Sequence, residues 1–191
     1  GRNMVQIDKA KLSLTDRWIY SRLNDAALSI EKAMEEYHFN DAAQTVYSFF
    51  WNDFCDWYIE ASKEKMLHGS EEEKDLQVSI LMDILESSMR LMHPFLSFIT
   101  EEIYQKLPNH KGDVISAQYP IYNEADKDNE ADSSMESLQE VVRVVRAVRS
   151  SLGIGPEKKL KVVVRPSKDN PYASFYKEEE NILSSFVGPS S

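Results

Sequence analysis

Residues 47–60, Tyr47-Ser-Phe-Phe-Trp-Asn-Asp-Phe-Cys-Asp-Trp-Tyr-Ile-Glu60, carry more aromatic rings than one buried helix stripe can use. A single α-helical stripe would take about half of them, namely Tyr47, Phe50, Phe54 and either Trp57 or Tyr58. Phe49, Trp51 and Cys55 fall off that stripe. We therefore expect a central helix that either packs on two sides or presents rings to something outside the bundle.

Apolar periodicity and capping residues predict that residues 1–120 form an antiparallel bundle of four helices. Ser13 followed by Asp16 resembles a capping box at the start of the first helix. His93-Pro94 ends the third helix, because the residue before a proline disfavours the α region. The predicted bounds, in chain order, are about 14–37, 40–67, 71–92 and 95–107.

The pattern changes after the bundle. Residues 121–134 are acidic and poor in apolar side chains, which predicts a linker. Residues 135–191 predict a small α/β unit that is incomplete. It would contain a helix with a valine-rich stripe, a break at 153–156, a strand from Leu160 to Arg165 and a helix from Tyr172 to Val187. The predicted fold class is mainly α, a helical bundle followed by a small α/β appendage.

The net charge of −10 is unevenly distributed. Residues 1–138 contain 13 Lys/Arg and 26 Asp/Glu, whereas residues 139–168 contain 8 Lys/Arg and 2 Asp/Glu. A phosphate-binding surface requires a local excess of positive charge rather than a basic total, because salt screens charges beyond about 8–10 Å. The acidic total is therefore compatible with binding to RNA.

Other features of the sequence narrow the class of protein. Cys55 is the single cysteine, which excludes an internal disulfide and a cysteine-cluster zinc site. No apolar run approaches the ~20 residues that span a bilayer, and the start has no signal-peptide pattern, so we expect a cytoplasmic protein without a membrane partner. Glu35-x-x-His38 has the spacing of a di-metal ligand pair but occurs once, so no metal site is predicted.

Four segments, in order, resemble the anticodon-binding domain of the valine–tRNA ligases. They are residues 16–23 (DRWIYSRL), 37–43 (YHFNDAA), 49–60 (FFWNDFCDWYIE) and 90–104 (RLMHPFLSFITEEIY). The isoleucine and leucine ligases share the scaffold of this domain, but the sequence of residues 54–60 favours a valine ligase. Ser97 departs from the family, which usually has a second proline there.

The resemblance implies that this chain is a C-terminal piece of an aminoacyl-tRNA synthetase. The parent would use ATP and Mg²⁺ to join valine to tRNA(Val), and a catalytic domain outside this chain would do the chemistry. Neither of the family's ATP motifs is present, since residues 65–68, Lys-Met-Leu-His, only begin like a Lys-Met-Ser-Lys loop. We therefore expect no catalytic residue and no cofactor here. The partners would be tRNA(Val) and the parent's catalytic domain, and not DNA.

Two surfaces are candidates for RNA contact. Arginine and exposed aromatic side chains together read unstacked bases in RNA loops, which points to Arg17, Arg22 and Trp51 on the bundle. Arg143, Arg146 and Arg149 lie beside the valine stripe of a later helix and are phosphate-contact candidates, with a solvated helix face as the plain alternative. Two other functions stay open: the same domain from an isoleucine or leucine ligase, and a helical protein-interaction module.

Overall fold

The computed structural model describes residues 3–108, 110–155, 158, 162–166 and 170–187. The chain divides into two compact units, Gly1–Asp128 and Asn129–Ser191. The first unit contains the helices that the sequence predicted for a bundle. Their bounds are α1, Leu14–Glu35; α2, Phe39–Tyr47; a π-helix, Ser48–Tyr58; α3, Ile59–His68; α4, Glu71–Met92; and α5, Ser97–Tyr104.

The second predicted helix is one continuous rod made of α2, the π-helix and α3. This rod packs on α1 and α4, and α5 packs on α4. In the π-helix each N–H bonds to the carbonyl five residues back, as the Ile59 N–H does with the Phe54 carbonyl. The aromatic stretch is therefore wound more loosely than the α-helix that the sequence predicted.

The loose winding changes which rings are buried. Phe49, Phe54 and Tyr58, spaced five and four apart, are 3%, 3% and 1% exposed. Tyr47, which the α-helical stripe placed in the core, is 57% exposed, so that assignment was wrong. A turn with more than 3.6 residues moves every later side chain around the axis relative to an α-helix.

The remaining rings show both of the arrangements that the sequence left open. Phe50 packs against a cluster formed by Met89, Tyr104, Leu107 and Val114. Trp51 lies off the core stripe, as predicted, and is 51% exposed. Phe50 therefore lies on a second packing face, and Trp51 lies at the surface.

Local capping defines the helix ends. Ser13 and Asp16 form the predicted capping box at the start of α1, and Ser70 with Glu73 forms another at the start of α4. Tyr37 adopts a left-handed conformation, φ 60°, in the turn after α1. The His38 N–H then bonds to the Ala33 carbonyl, which closes α1 in the manner that usually uses glycine.

The boundary between the units differs from the predicted linker at 121–134. Asn24, which is 6% exposed, donates to the Asn123 carbonyl at 2.9 Å and accepts from the Asn123 N–H at 2.8 Å. Helix α6, Asn129–Ser151, then begins at once and buries Ala131 and Met135 completely. The segment folds despite its low apolar content, because its polar groups form hydrogen bonds with polar groups of the bundle.

The second unit contains α6, α7 (Ala173–Glu178) and α8 (Glu180–Val187). The predicted break after α6 is present, with Gly153 at φ 63°. The predicted helix from Tyr172 is divided at Glu179 into α7 and α8. Of the predicted strand, residues 162–165 have no regular secondary structure, and residues 160 and 161 lie outside the described part of the chain. The predicted α/β character is therefore not seen in the residues of this unit that the structure describes.

Among the residues that the structure describes, no helix is both long enough and apolar enough to cross a bilayer.

Candidate nucleic-acid interface

Two neighbouring rings form an exposed aromatic pair on the rod. Tyr47, the last residue of α2, stacks on Trp51 of the π-helix with ring centroids 6.3 Å apart and an interplanar angle of 4°. Both side chains are more than half exposed. Exposed π faces of this kind stack with nucleobases regardless of base identity. The sequence predicted Trp51 as a contact residue but placed Tyr47 in the core.

Arg22 links α1 to the π-helix. Its Nε donates to Asp53 Oδ2 at 2.9 Å, and its Nη1 lies 3.7 Å from Asp25 Oδ2. The Arg22 side chain is nevertheless 41% exposed. The two carboxylates therefore hold the guanidinium in a fixed orientation and leave part of it accessible, which suits recognition of a planar ligand.

A groove of about 380 Å³ runs between α1 and the rod beside Arg22. Its walls carry Asp25 from α1, and Gln44, Thr45 and Ser48 from the rod. These groups provide amide, hydroxyl and carboxylate functions in one concave surface. The volume is within the ~300–1,000 Å³ typical of small-molecule sites.

Arg17 lies in a different environment from Arg22. Its Nη1 donates to Asp128 Oδ2 at 2.8 Å, which attaches α1 to the end of the first unit. Arg17 lines a smaller cavity with Lys9, Tyr20 and Asp126. The structure therefore brings Arg22 to the groove and places Arg17 at a separate site.

The three arginines of α6 have three different environments. Arg149 is 8% exposed and donates to the carbonyls of Val187, Gly155 and Lys158. Arg146 donates to the Phe186 carbonyl and lies over the Phe186 ring, with its Cζ 5.9 Å from the centroid. Arg149 and Arg146 thus hold the second unit together, which the helical wheel did not predict.

Arg143 is an exposed residue of α6. It forms an ion pair with Glu140 one turn earlier on the same helix, and its side chain is 57% exposed. An exposed pair at this spacing contributes little stability, about 0.3–0.5 kcal/mol, so a phosphate can compete for the arginine. Arg143 is therefore an accessible phosphate-contact candidate.

A buried polar network joins three helices of the first unit, and the sequence did not predict it beyond the Ser13–Asp16 cap. The Tyr58 hydroxyl donates to Asp16 Oδ1 at 2.7 Å and accepts from Gln77 Nε2 at 2.8 Å. Lys65 Nζ donates to Asp16 Oδ2 at 2.8 Å. Two residues that carry the family resemblance, Asp16 and Tyr58, are therefore used for packing.

The network changes the acidity of its members. Burial alone would raise the pKa of Asp16, but the nearby Lys65 charge and hydrogen bonds from Lys65, Ser13 and Tyr58 outweigh it and hold that pKa below its usual value. Burial, together with the Asp16 charge, raises the pKa of Tyr58 well above its usual value. Asp16 is thus charged and Tyr58 is neutral at physiological pH.

Comparison with known proteins shows the family to which this chain belongs. Residues 16–164 match the family described as the anticodon-binding domain of tRNA ligase. The chain belongs to this family. The matched range includes the groove, the Tyr47–Trp51 pair and α6.

Similar proteins point to one member of the tRNA ligases. The chain is 41% identical to a valine–tRNA ligase of Treponema denticola, an alignment that covers 98% of this chain and 22% of that protein. It is 42% identical to a valine–tRNA ligase of Treponema pallidum over 87% of this chain and 19% of that protein. It is 39% identical to one of Aquifex aeolicus over 80% of this chain and 14% of that protein. The chain thus spans about a fifth of the length of the first relatives.

Proposed function

We propose that this chain binds the anticodon stem-loop of a valine tRNA within a valine–tRNA ligase. The observation that carries the proposal is the family match over residues 16–164, together with valine–tRNA ligases as relatives at 41% and 42% identity. The role of the chain is to position tRNA(Val) while the catalytic domain of the same parent protein joins valine to it. The parent works in the cytoplasm and uses ATP and Mg²⁺.

The face with the Tyr47–Trp51 pair supports this role. Single-stranded RNA loops are recognised by stacking their bases on aromatic rings and by hydrogen bonds to the base edges. The stacked pair supplies the rings, and Arg22 supplies an oriented donor. Arg143 on α6 supplies a phosphate contact that is independent of sequence.

A binding assay with three RNAs tests the proposal. Gel shifts with valine tRNA, its anticodon-substituted form and isoleucine tRNA should show that the first binds most tightly. Trp51→Ala should weaken the binding of valine tRNA, because base stacking is worth about 1–3 kcal/mol per base. Phe98→Ala is a matched control, since Phe98 is 95% exposed on α5.

The same assay identifies the alternatives. Preference for isoleucine tRNA would assign the domain to another ligase. Binding to none of the three RNAs would contradict the proposal and favour a protein-interaction role for the exposed rings.

An assay of amino-acid activation separately tests whether catalysis belongs to a domain outside this chain. The purified chain should give no ATP–pyrophosphate exchange with valine, because the catalysis is assigned to a domain outside it. Exchange above background would contradict that assignment.

A further inference from the structure

We infer that the groove between α1 and the rod is a base-reading subsite, in which Gln44 and Ser48 select one base of the anticodon loop. This inference rests on the proposed function and adds which surface reads sequence and by which groups. The sequence indicated Arg22 of this groove as an RNA contact, but neither Gln44 nor Ser48.

The charge of the groove favours a neutral ligand. Arg22 is flanked by Asp25 and Asp53, so two carboxylates surround one guanidinium. Lys127 also binds Asp25, at 2.6 Å, and is held there by that contact. The two cations and two carboxylates cancel, so there is no net positive charge to attract a phosphate, whereas the carboxylates can accept hydrogen bonds from the amino groups of bases. The occupant that fits is therefore a base, with its phosphates directed away from the groove.

The polar groups on the rod are suited to reading a base edge. Gln44 is exposed on α2, and its Nε2 makes a long 3.4 Å hydrogen bond to Ser48 Oγ. Such a bond is weak and is readily exchanged for one to a ligand. A carboxamide offers a donor and an acceptor side by side, which matches the paired groups on a base edge.

The position of the groove connects it with the exposed rings. Ser48 directly follows Tyr47, so the groove wall and the Tyr47–Trp51 pair are adjacent along the same rod. Phe49, which is 3% exposed, lines the groove from the core side. One base held in the groove and a neighbour stacked on the rings would be consecutive nucleotides of an unstacked loop.

The experiment measures the affinity of this chain for two RNA hairpins, one with the valine anticodon stem-loop and one with a substituted anticodon. Gln44→Ala removes the reading amide, and Ser48→Phe fills the groove with a ring. Gln6→Ala is the matched control, since Gln6 is an exposed glutamine elsewhere in the first unit. Thermal unfolding checks that each variant is folded.

Gln44→Ala should reduce the ratio of the two affinities by roughly two- to tenfold, the value of one or two hydrogen bonds. Ser48→Phe should abolish the discrimination, and Gln6→Ala should keep it. The slope of log affinity against log salt should be unchanged in all three variants, because no phosphate contact is lost. A photoreactive 4-thiouridine in the loop should crosslink to a peptide that contains residues 44–49.

The other outcomes are distinct. If both groove variants keep full discrimination while the unaltered chain discriminates, the subsite is wrong and the proposed function stands. If they lose affinity for both hairpins equally and the salt slope falls, the groove holds phosphate and the base assignment is overturned. If the unaltered chain does not discriminate, the proposed function itself fails, and the subsite fails with it.

Discussion

Tyr58 shows how much one side chain contributes to this bundle. Its hydroxyl lies between Asp16 of α1 and Gln77 of α4, while its ring is 1% exposed in the core. A buried hydroxyl with both partners satisfied fixes the relative position of the helices that supply them. Tyr58 thus couples the π-helix to two of its neighbours.

Tyr58→Phe should destabilise the first unit by about 1–3 kcal/mol. The substitution keeps the ring but leaves Asp16 and Gln77 without the hydroxyl, and unsatisfied buried polar groups cost this much. A urea titration of the variant and the unaltered chain measures the change. Tyr47→Phe is the control, because Tyr47 is exposed. Equal losses from the two substitutions would show that the network does not stabilise the bundle.

Asp16 should make the first unit sensitive to acid. Because its pKa is lowered in the folded state, its contribution is present above the unfolded pKa of about 3.9 and is lost as the pH falls below that value. Unfolding free energies measured from neutral pH to about pH 3 should fall less for Asp16→Asn than for the unaltered chain. Asp113→Asn, on an exposed loop residue, is the control. Identical pH profiles for the Asp16 variant and the unaltered chain would contradict the assignment.

The π-helix is the element that decides how the rod uses its aromatic rings. Its loose winding buries Phe49, Phe54 and Tyr58, and it leaves Trp51 stacked on Tyr47 at the surface. π-Helical segments occur frequently at functional sites. In this rod the winding serves both the core and the candidate interface.

Alanine substitutions along the π-helix should follow the observed burial. Phe54→Ala should cost about 3–5 kcal/mol, since Phe54 is 3% exposed and leaves a cavity. Trp57→Ala should cost less, because Trp57 is only partly buried, and Trp51→Ala should cost least. Denaturant titrations of the three variants give the order. A larger loss for Trp57→Ala than for Phe54→Ala would contradict the order expected from the observed burial.

At the scale of the whole molecule, the boundary at 128 determines what belongs to the first unit. Residues 123–128 pack against α1 through Asn24–Asn123, Asp25–Lys127 and Arg17–Asp128 contacts. The segment is acidic and poor in apolar side chains, yet its polar groups are paired. The bundle therefore includes a segment that composition assigns to a linker.

A chain that ends at Asp128 should be more stable than one that ends at Pro120. The shorter chain loses both hydrogen bonds between Asn24 and Asn123, and each contributes about 0.5–1.5 kcal/mol net. Thermal unfolding of the two chains measures the difference. Asn24→Ala in the longer chain should reproduce most of it. Equal stability would place the boundary of the unit before residue 121.

The sequence by itself determined the helices of the bundle, the capping box of α1, the helix ends at His93-Pro94 and Gly153, and the family. These depend on local periodicity, capping groups and motifs, which are properties of neighbouring residues. Only the tertiary structure decided the π-helical winding, the partners of Arg149 and Asp16, and the groove beside Gln44. Those features arise from contacts between side chains distant in sequence or from a small change in helix pitch. Neither can be predicted from a periodicity that assumes 3.6 residues per turn.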